Sequence, residues 1–263
     1  MTHKLFQLDA FTSEPFRGNP AAVCLLAGPE SKDWMQALAT EMNLSETAFL
    51  LPENGGWRLR WFTPTMEVDL CGHATLASAM VLFEIHPSLR TQSLNFHTRS
   101  GDLRACWMGE AVELDFPAMP LQTLAINPKW IDILGFEPID GVFSGDYYLF
   151  EATNSEFIRA AKPVMSDLMR LPMPEIIITA KSDVPAYDFI SRFFAPQLGV
   201  AEDPVTGSAH CLLTPYWAKK LGKLELNAYQ ASARGGELHL HLVEERVHIT
   251  GAAKFIFEAD LLV

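Results

Sequence analysis

The chain carries one helix-start signal twice, once in each half. The first copy runs Arg60-Trp61-Phe62-Thr63-Pro64 and then Cys71-Gly72-His73-Ala74; the second runs Arg192-Phe193-Phe194-Ala195-Pro196 and then Thr206-Gly207-Ser208-Ala209. Arg60 and Arg192 stand 132 positions apart and Gly72 and Gly207 135, so the second copy holds three extra residues between its Pro and its Gly. The offset then persists: Gly101-Asp102-Leu103 answers Gly236-Glu237-Leu238, and Val112 and Leu114 answer Val247 and Ile249. A duplicated half predicts two similar lobes, with a ligand cleft expected between them. The expected division is 1–118 for the first lobe and 119–253 for the second, with a last strand, 254–263, crossing back to the first.

A length of 263 residues suits two domains of ordinary size, and 49% hydrophobic against 20% charged residues describes a globular chain. The net charge of −12 argues against a nucleic-acid backbone or an anionic membrane surface as partner. It leaves room for a small anionic substrate at a locally positive site. No run of about 18 apolar residues and no signal-peptide pattern stands out. Cys24, Cys71, Cys106 and Cys211 are scattered without C-x-x-C or zinc spacing. They are expected to be reduced thiols in a cytoplasmic protein, with no metal site.

Short alternating runs separated by turns predict many strands, and each half has one strongly apolar helix: Ala74 to Ile85, ending before Pro87, and Ser208 to Leu221. Phe116-Pro117-Ala118-Met119-Pro120 reads as the crossing between halves. No G-x-G-x-x-G or Walker-type loop occurs, which disfavours nucleotide cofactors. The expected fold is α+β: two pseudo-symmetric lobes, each a curved, mostly antiparallel sheet wrapped around a central helix.

Both glycine signals fall where a helix begins. There, unpaired backbone N–H groups and the positive end of the helix dipole can hold a carboxylate, and Gly72 and Gly207 let it approach. Two such ends on one cleft would clamp an anion. His73 and Ser208 are repeat equivalents at the first helical turn. The dipole is expected to disfavour the His73 imidazolium and leave a neutral, proton-relaying ring. Glu46, in Ser45-Glu46-Thr47-Ala48-Phe49, opens an apolar strand, where desolvation would raise its pKa toward a value useful in acid/base work. Asp203 stands before Pro204 in a turn-forming pair. Each residue taken alone also has an ordinary structural use.

Four segments together carry a resemblance: Gly18-Asn19-Pro20-Ala21-Ala22-Val23, Ser45-Glu46-Thr47-Ala48-Phe49, Asp69-Leu70-Cys71-Gly72-His73-Ala74-Thr75 and Glu202-Asp203-Pro204-Val205-Thr206-Gly207-Ser208-Ala209. From Leu5 to about Gly251 the chain resembles the phenazine-biosynthesis (PhzF-like) isomerase family, whose fold is similar to that of diaminopimelate epimerase. The resemblance implies proton transfer without a cofactor and a homodimer. It places the base and acid on Glu46 and further catalytic roles on His73, Asp203 and Ser208. Substrate binding falls to Cys71, Gly72, Ala74, Thr206 and Gly207. The phenazine enzyme isomerises a dihydro-hydroxyanthranilate, but the resemblance transfers a mechanism better than a substrate.

Epimerases of the related fold use two cysteines, one from each lobe. Here the repeat partner of Cys71 is Thr206, whose hydroxyl is a far weaker acid and base than a thiol. The leading expectation is therefore a cofactor-independent isomerase of a small carboxylate-bearing substrate. The rivals are an amino-acid racemase using Cys71, acidified at its helix start, and a non-catalytic small-molecule binding protein.

Overall fold

The computed structural model describes residues 2–263. The chain divides into two compact units: Met1–Phe116 with His248–Val263, and Pro117–Val247. The return to the first unit thus begins at His248, inside a strand and ahead of the expected 254.

Unit 1 contains β1 (Lys4–Ala10), β2 (Asn19–Leu25), α1 (Lys32–Met42), β3 (Glu46–Glu53), β4 (Gly56–Phe62), β5 (Glu67–Val68), α2 (Gly72–Ile85), β6 (Leu94–Thr98), β7 (Gly101–Trp107) and β8 (Val112–Pro117). β1 and β2 are antiparallel, β2 and β3 parallel, β3 and β4 antiparallel. β4 pairs antiparallel with β5 and parallel with β6, and β6–β7–β8 is an antiparallel meander. The β3–β4 hairpin turns at Asn54 and Gly55, with φ of 52° and 74°, the positive values a two-residue hairpin turn requires. Ser31 caps α1 by accepting from the Trp34 amide at 3.1 Å. α2 is buried on nearly every side from Gly72 to Phe83 and packs against β1, β2, β3 and β7. Its apolar sequence has no polar stripe because it has no solvent face.

Unit 2 begins with β9 (Gln122–Thr123), α3 (Lys129–Leu134), β10 (Asp140–Ser144), β11 (Tyr147–Glu151), α4 (Ser155–Ala160), α5 (Met165–Leu168) and β12 (Glu175–Lys181). It continues with β13 (Phe189–Ala195), β14 (Val200–Asp203), α6 (Gly207–Leu221), β15 (Glu225–Gln230), β16 (Gly236–Val243) and the first part of β17 (Arg246–Gly251). The pairing pattern of unit 1 returns: β10–β11 antiparallel, β11–β12 parallel, β12–β13 antiparallel, β13–β14 antiparallel, β13–β15 parallel and β15–β16 antiparallel. The three inserted residues lie at the 3-10 turn Pro196–Leu198, closed by Gly199 at φ 84°. α6 is the counterpart of α2. It packs on β15 and β16, and Trp217 stacks on Phe189 of β13 at 5.5 Å and donates to Thr179 Oγ1 of β12 at 3.0 Å.

Pro215 lies inside α6 and supplies no amide for the Cys211 carbonyl. The Met119 amide takes that carbonyl at 2.9 Å, so the strand-free entry segment fills the gap the proline leaves. The last strand, β18 (Ala253–Asp260), lies antiparallel on β1. Among the described residues no helix is long and apolar enough to cross a membrane.

Candidate active site

In unit 1 three elements bring the expected residues together. The β1–β2 connection is forced tight by Gly18. Its φ is +63°, and a Cβ there would stand 2.1 Å from the Ala10 carbonyl oxygen and 2.8 Å from Thr12 Cγ2. That close approach drives Asn19 into the interior, where it is fully buried. Asn19 Nδ2 stands 3.1 Å from His73 Nδ1, and Ser45 Oγ donates to Asn19 Oδ1 at 3.3 Å. The amide therefore donates to the ring, which makes Nδ1 an acceptor and leaves the proton on Nε2. His73 Nε2 lies 3.2 Å from Glu46 Oε2.

Glu46 is the first residue of β3 and half-buried; His73 is in the first turn of α2 and 4% exposed. Burial pushes the His73 pKa down to about 3, so the ring is neutral and its contact with Glu46 is not an ion pair. The cause is desolvation, where the sequence had pointed to the helix dipole. Cys71 is the N-cap of α2, buried, with Sγ 3.5 Å from His73 Nδ1. Its side chain does not cap the helix, and Gly72 and the fully buried Ala74 follow it. The first-turn amides of α2 are thus not taken up by a side-chain cap, as an anion site requires. A carboxylate, thiol and imidazole can also hold a divalent cation, and these donor atoms lie within 4.8 Å of one another. The Asn19 N–H directed at Nδ1 suits a neutral ring and opposes a cation on that nitrogen.

In unit 2 the Asp203–Ser208 turn is held by a residue that sequence reading passed over. Gln230, the last residue of β15, is fully buried; its Oε1 accepts from the Thr206 amide at 2.8 Å. Its Nε2 donates to the Asp203 carbonyl at 2.8 Å and to Thr206 Oγ1 at 3.1 Å. Thr206 Oγ1 in turn donates to Asp203 Oδ2 at 2.5 Å, so the N-cap hydroxyl is spent on the aspartate and does not cap α6. His210 Nδ1 lies 2.8 Å from the Thr206 carbonyl oxygen. Gly207 and Ser208 open α6.

Asn19 was visible only within the Gly18–Val23 segment of the resemblance, and Gln230 had no local signal at all. The duplicated Arg60 and Arg192 are structural: Arg60 pairs with Glu67 at 2.7 and 2.9 Å, and Arg192 with Glu202 at 2.6 and 2.9 Å. These bidentate clamps fix the loop that runs to each helix start. No second thiol answers Cys71, and Cys211 in α6 is buried with its pKa pushed up to about 12 by that burial.

The profile of the phenazine biosynthesis-like protein family matches residues 8–259. The chain belongs to this family. It is 49% identical to an uncharacterized isomerase of Halalkalibacterium halodurans, over 100% of both chains. It is 41% identical to the phenazine biosynthesis-like domain-containing protein of Homo sapiens, covering 98% of each. A crystal structure from Enterococcus faecalis, a phenazine biosynthesis protein of the PhzF family, superposes with a TM-score of 0.95 at 41% identity over the whole of both chains. A hydroxyproline epimerase from Agrobacterium vitis shares the fold at 11% identity, with a TM-score of 0.64 and 99% of this chain covered, 92% of that one. The epimerase-type α+β fold of this family member is thereby established.

Proposed function

We propose that this member of the family is an isomerase that moves a proton within a small carboxylate-bearing substrate, with Glu46 as the proton carrier. The carrying observation is the 3.2 Å approach of Glu46 Oε2 to His73 Nε2, on a ring kept neutral by burial. A carboxylate can take a proton from an acidified carbon and return it at another carbon of the same molecule, which needs no cofactor. The neutral imidazole is the partner such a base requires. A buried neutral ring close to the carboxylate does not compete with it by becoming charged. The uncapped first turn of α2 offers amides to the substrate carboxylate, and the glycine there leaves the backbone open to it. Unit 2 has a polar turn of its own at the start of α6, where Gln230 holds Asp203 and Thr206.

Relatives called isomerases agree with this reaction class. A two-thiol racemase is the weaker reading, since Thr206 is tied to Asp203 in the place a second thiol would hold.

The test is solvent-deuterium uptake. Wild-type protein and Glu46→Gln are incubated in D2O with a panel of α-amino acids, β,γ-unsaturated carboxylates and 2,3-dihydro-3-hydroxyanthranilate, followed by NMR and mass spectrometry. The expected result is exchange at carbon in wild type and its loss by ~10²–10⁴-fold or more in Glu46→Gln. Exchange at wild-type rate in Glu46→Gln ends the assignment.

A further inference from the structure

Each unit buries a histidine in the first turn of its central helix, and the two rings have partners of opposite kind. His210 is fully buried in α6, and its Nδ1 lies 2.8 Å from the Thr206 carbonyl oxygen, an atom that can only accept. That ring carries its proton on Nδ1. His73, 4% exposed in α2, turns Nδ1 toward the Asn19 amide nitrogen at 3.1 Å, an atom that can only donate. Ser45 Oγ donates to Asn19 Oδ1 at 3.3 Å, on the side of the amide away from the ring. Cys71 Sγ is a second neighbour of Nδ1, at 3.5 Å. Glu46 Oε2 stands 3.2 Å from the other nitrogen, Nε2, where a bare lone pair would face a carboxylate oxygen. Asn19 and Glu46 therefore favour the same tautomer, with the proton on Nε2.

That proton has no taker in the protein. Nε2 is buried and has no hydrogen-bond partner among the described residues, so the N–H points past Glu46 and not along the 3.2 Å contact. A buried donor left unpaired is costly, and in native proteins such a group is one that a ligand or water satisfies. Burial also holds the ring neutral, with its pKa pushed down to about 3. A ring so hard to protonate is a poor proton shuttle and a good fixed donor.

We propose that His73 Nε2–H holds a substrate oxygen beside Glu46, and that the proton Glu46 moves sits on the carbon next to the one bearing that oxygen. This rests on the proton-transfer reading above. The two protein atoms are 3.2 Å apart, so the oxygen and the acidic carbon they serve must be near neighbours in the substrate. A carbonyl or carboxyl group with an α-hydrogen meets that condition; a C–H several bonds down an extended chain does not. In the step, the Glu46 carboxylate takes the α-proton and the C–H electron pair becomes the C=C bond of an enolate. The C=O π pair moves onto oxygen, where His73 Nε2–H stabilises it and keeps its own proton. Re-forming the C=O bond draws the proton back from the Glu46 carboxyl, at the α-carbon or, in a β,γ-unsaturated substrate, at the γ-carbon. No electrons leave the system and no co-reactant is consumed. His73 touches substrate; Asn19 is a positioning residue that acts through the ring.

Two measurements on the full chain test this. The first needs no substrate. In protein carrying 15N-labelled histidine, long-range proton–nitrogen spectra separate protonated from bare ring nitrogens, and the signals are assigned by their loss in His73→Gln and His210→Gln. His73 is expected to be neutral at pH 7 with Nδ1 bare and Nε2 protonated, and His210 to show the reverse. Asn19→Leu removes the donor to Nδ1 and is expected to let the Nδ1–H form appear at His73 while His210 stays unchanged. An Nδ1–H or doubly protonated His73 in wild type overturns the proposal, whatever any substrate or variant shows. A folded Asn19→Leu with the wild-type His73 spectrum overturns the role of Asn19.

The second measurement uses the D2O panel above. His73→Leu has no donor and is expected to lower kcat by ~10²–10³-fold with KM changed far less. His73→Gln can place an amide N–H near the position of Nε2–H but cannot relay a proton, and it is expected to recover most of that loss. Deuterium is expected first on the carbon α to the oxygen-bearing carbon. A His73→Gln variant as impaired as His73→Leu, or exchange confined to carbons remote from oxygen, sinks the donor assignment and leaves Glu46 standing. Absence of exchange in wild type across the panel sinks the proton-transfer reading itself.

Discussion

Gln230→Met should loosen the Asp203–Ser208 turn while leaving the core filled. The side chain is fully buried and holds the turn by three hydrogen bonds, two of them to backbone groups of Thr206 and Asp203. Methionine matches its length and volume, so cavity formation contributes little. What remains is one buried N–H and one buried C=O with nothing to pair with. Each such orphan costs about 1–3 kcal/mol, so the substitution should cost roughly 2–4 kcal/mol. With a urea m-value of about 2–3 kcal/mol/M, that is a fall of about 1 M in the unfolding midpoint. The local signature is faster hydrogen exchange at the Thr206 amide. Gln230→Glu sharpens the argument. Thr206 Oγ1 donates to Asp203 and so presents a lone pair to position 230, as does the Asp203 carbonyl. A carboxylate there opposes two acceptors, and only the protonated acid can replace the amide. Its destabilisation should therefore grow as pH rises. A midpoint shift below about 0.3 M for Gln230→Met, with unchanged exchange at Thr206, would refute the claim that Gln230 holds this turn.

Three further outcomes follow from the same geometry. Gly18→Ala should cost at least about 2 kcal/mol, from a left-handed φ and a Cβ driven onto the Ala10 carbonyl, and should lower turnover by displacing Asn19 from His73; thermal unfolding and the deuterium assay check both halves. Burial pushes His210 down to about 4 in the fold, while its hydrogen bond to the Thr206 carbonyl works the other way. An unfolded histidine protonates near 6.5, so the folded state loses stability as pH falls from 6.5 to about 4, by up to about 3 kcal/mol from this ring. His210→Gln should flatten the stability-versus-pH curve over that window by one proton, and an unchanged slope would contradict the assignment. Cys71→Ala should retain most of the turnover, because Thr206 completes no thiol pair; a loss beyond about a hundredfold, ~2.7 kcal/mol of barrier, would favour the racemase reading.

The duplicated helix starts were legible because they depend on local chemistry. A glycine ahead of an apolar run marks a helix end whatever lies around it, and here the two runs became α2 and α6 with little change of bounds. The Asn54–Gly55 hairpin turn rests on the same kind of local chemistry. Glu46 and His73 could be named from their motifs, yet their 3.2 Å separation depends on where β3 ends against α2, which no spacing encodes.

The short helices α4 and α5 and the strands β9, β10 and β14 escaped notice. They are only a few residues long, so periodicity has too few turns or alternations to speak through. The sequence by itself determined the repeat and its helix starts, since turns and caps are settled within a few residues. Tertiary structure alone decided what Asn19 and Gln230 touch, since burial and partnership arise only when distant strands are brought side by side.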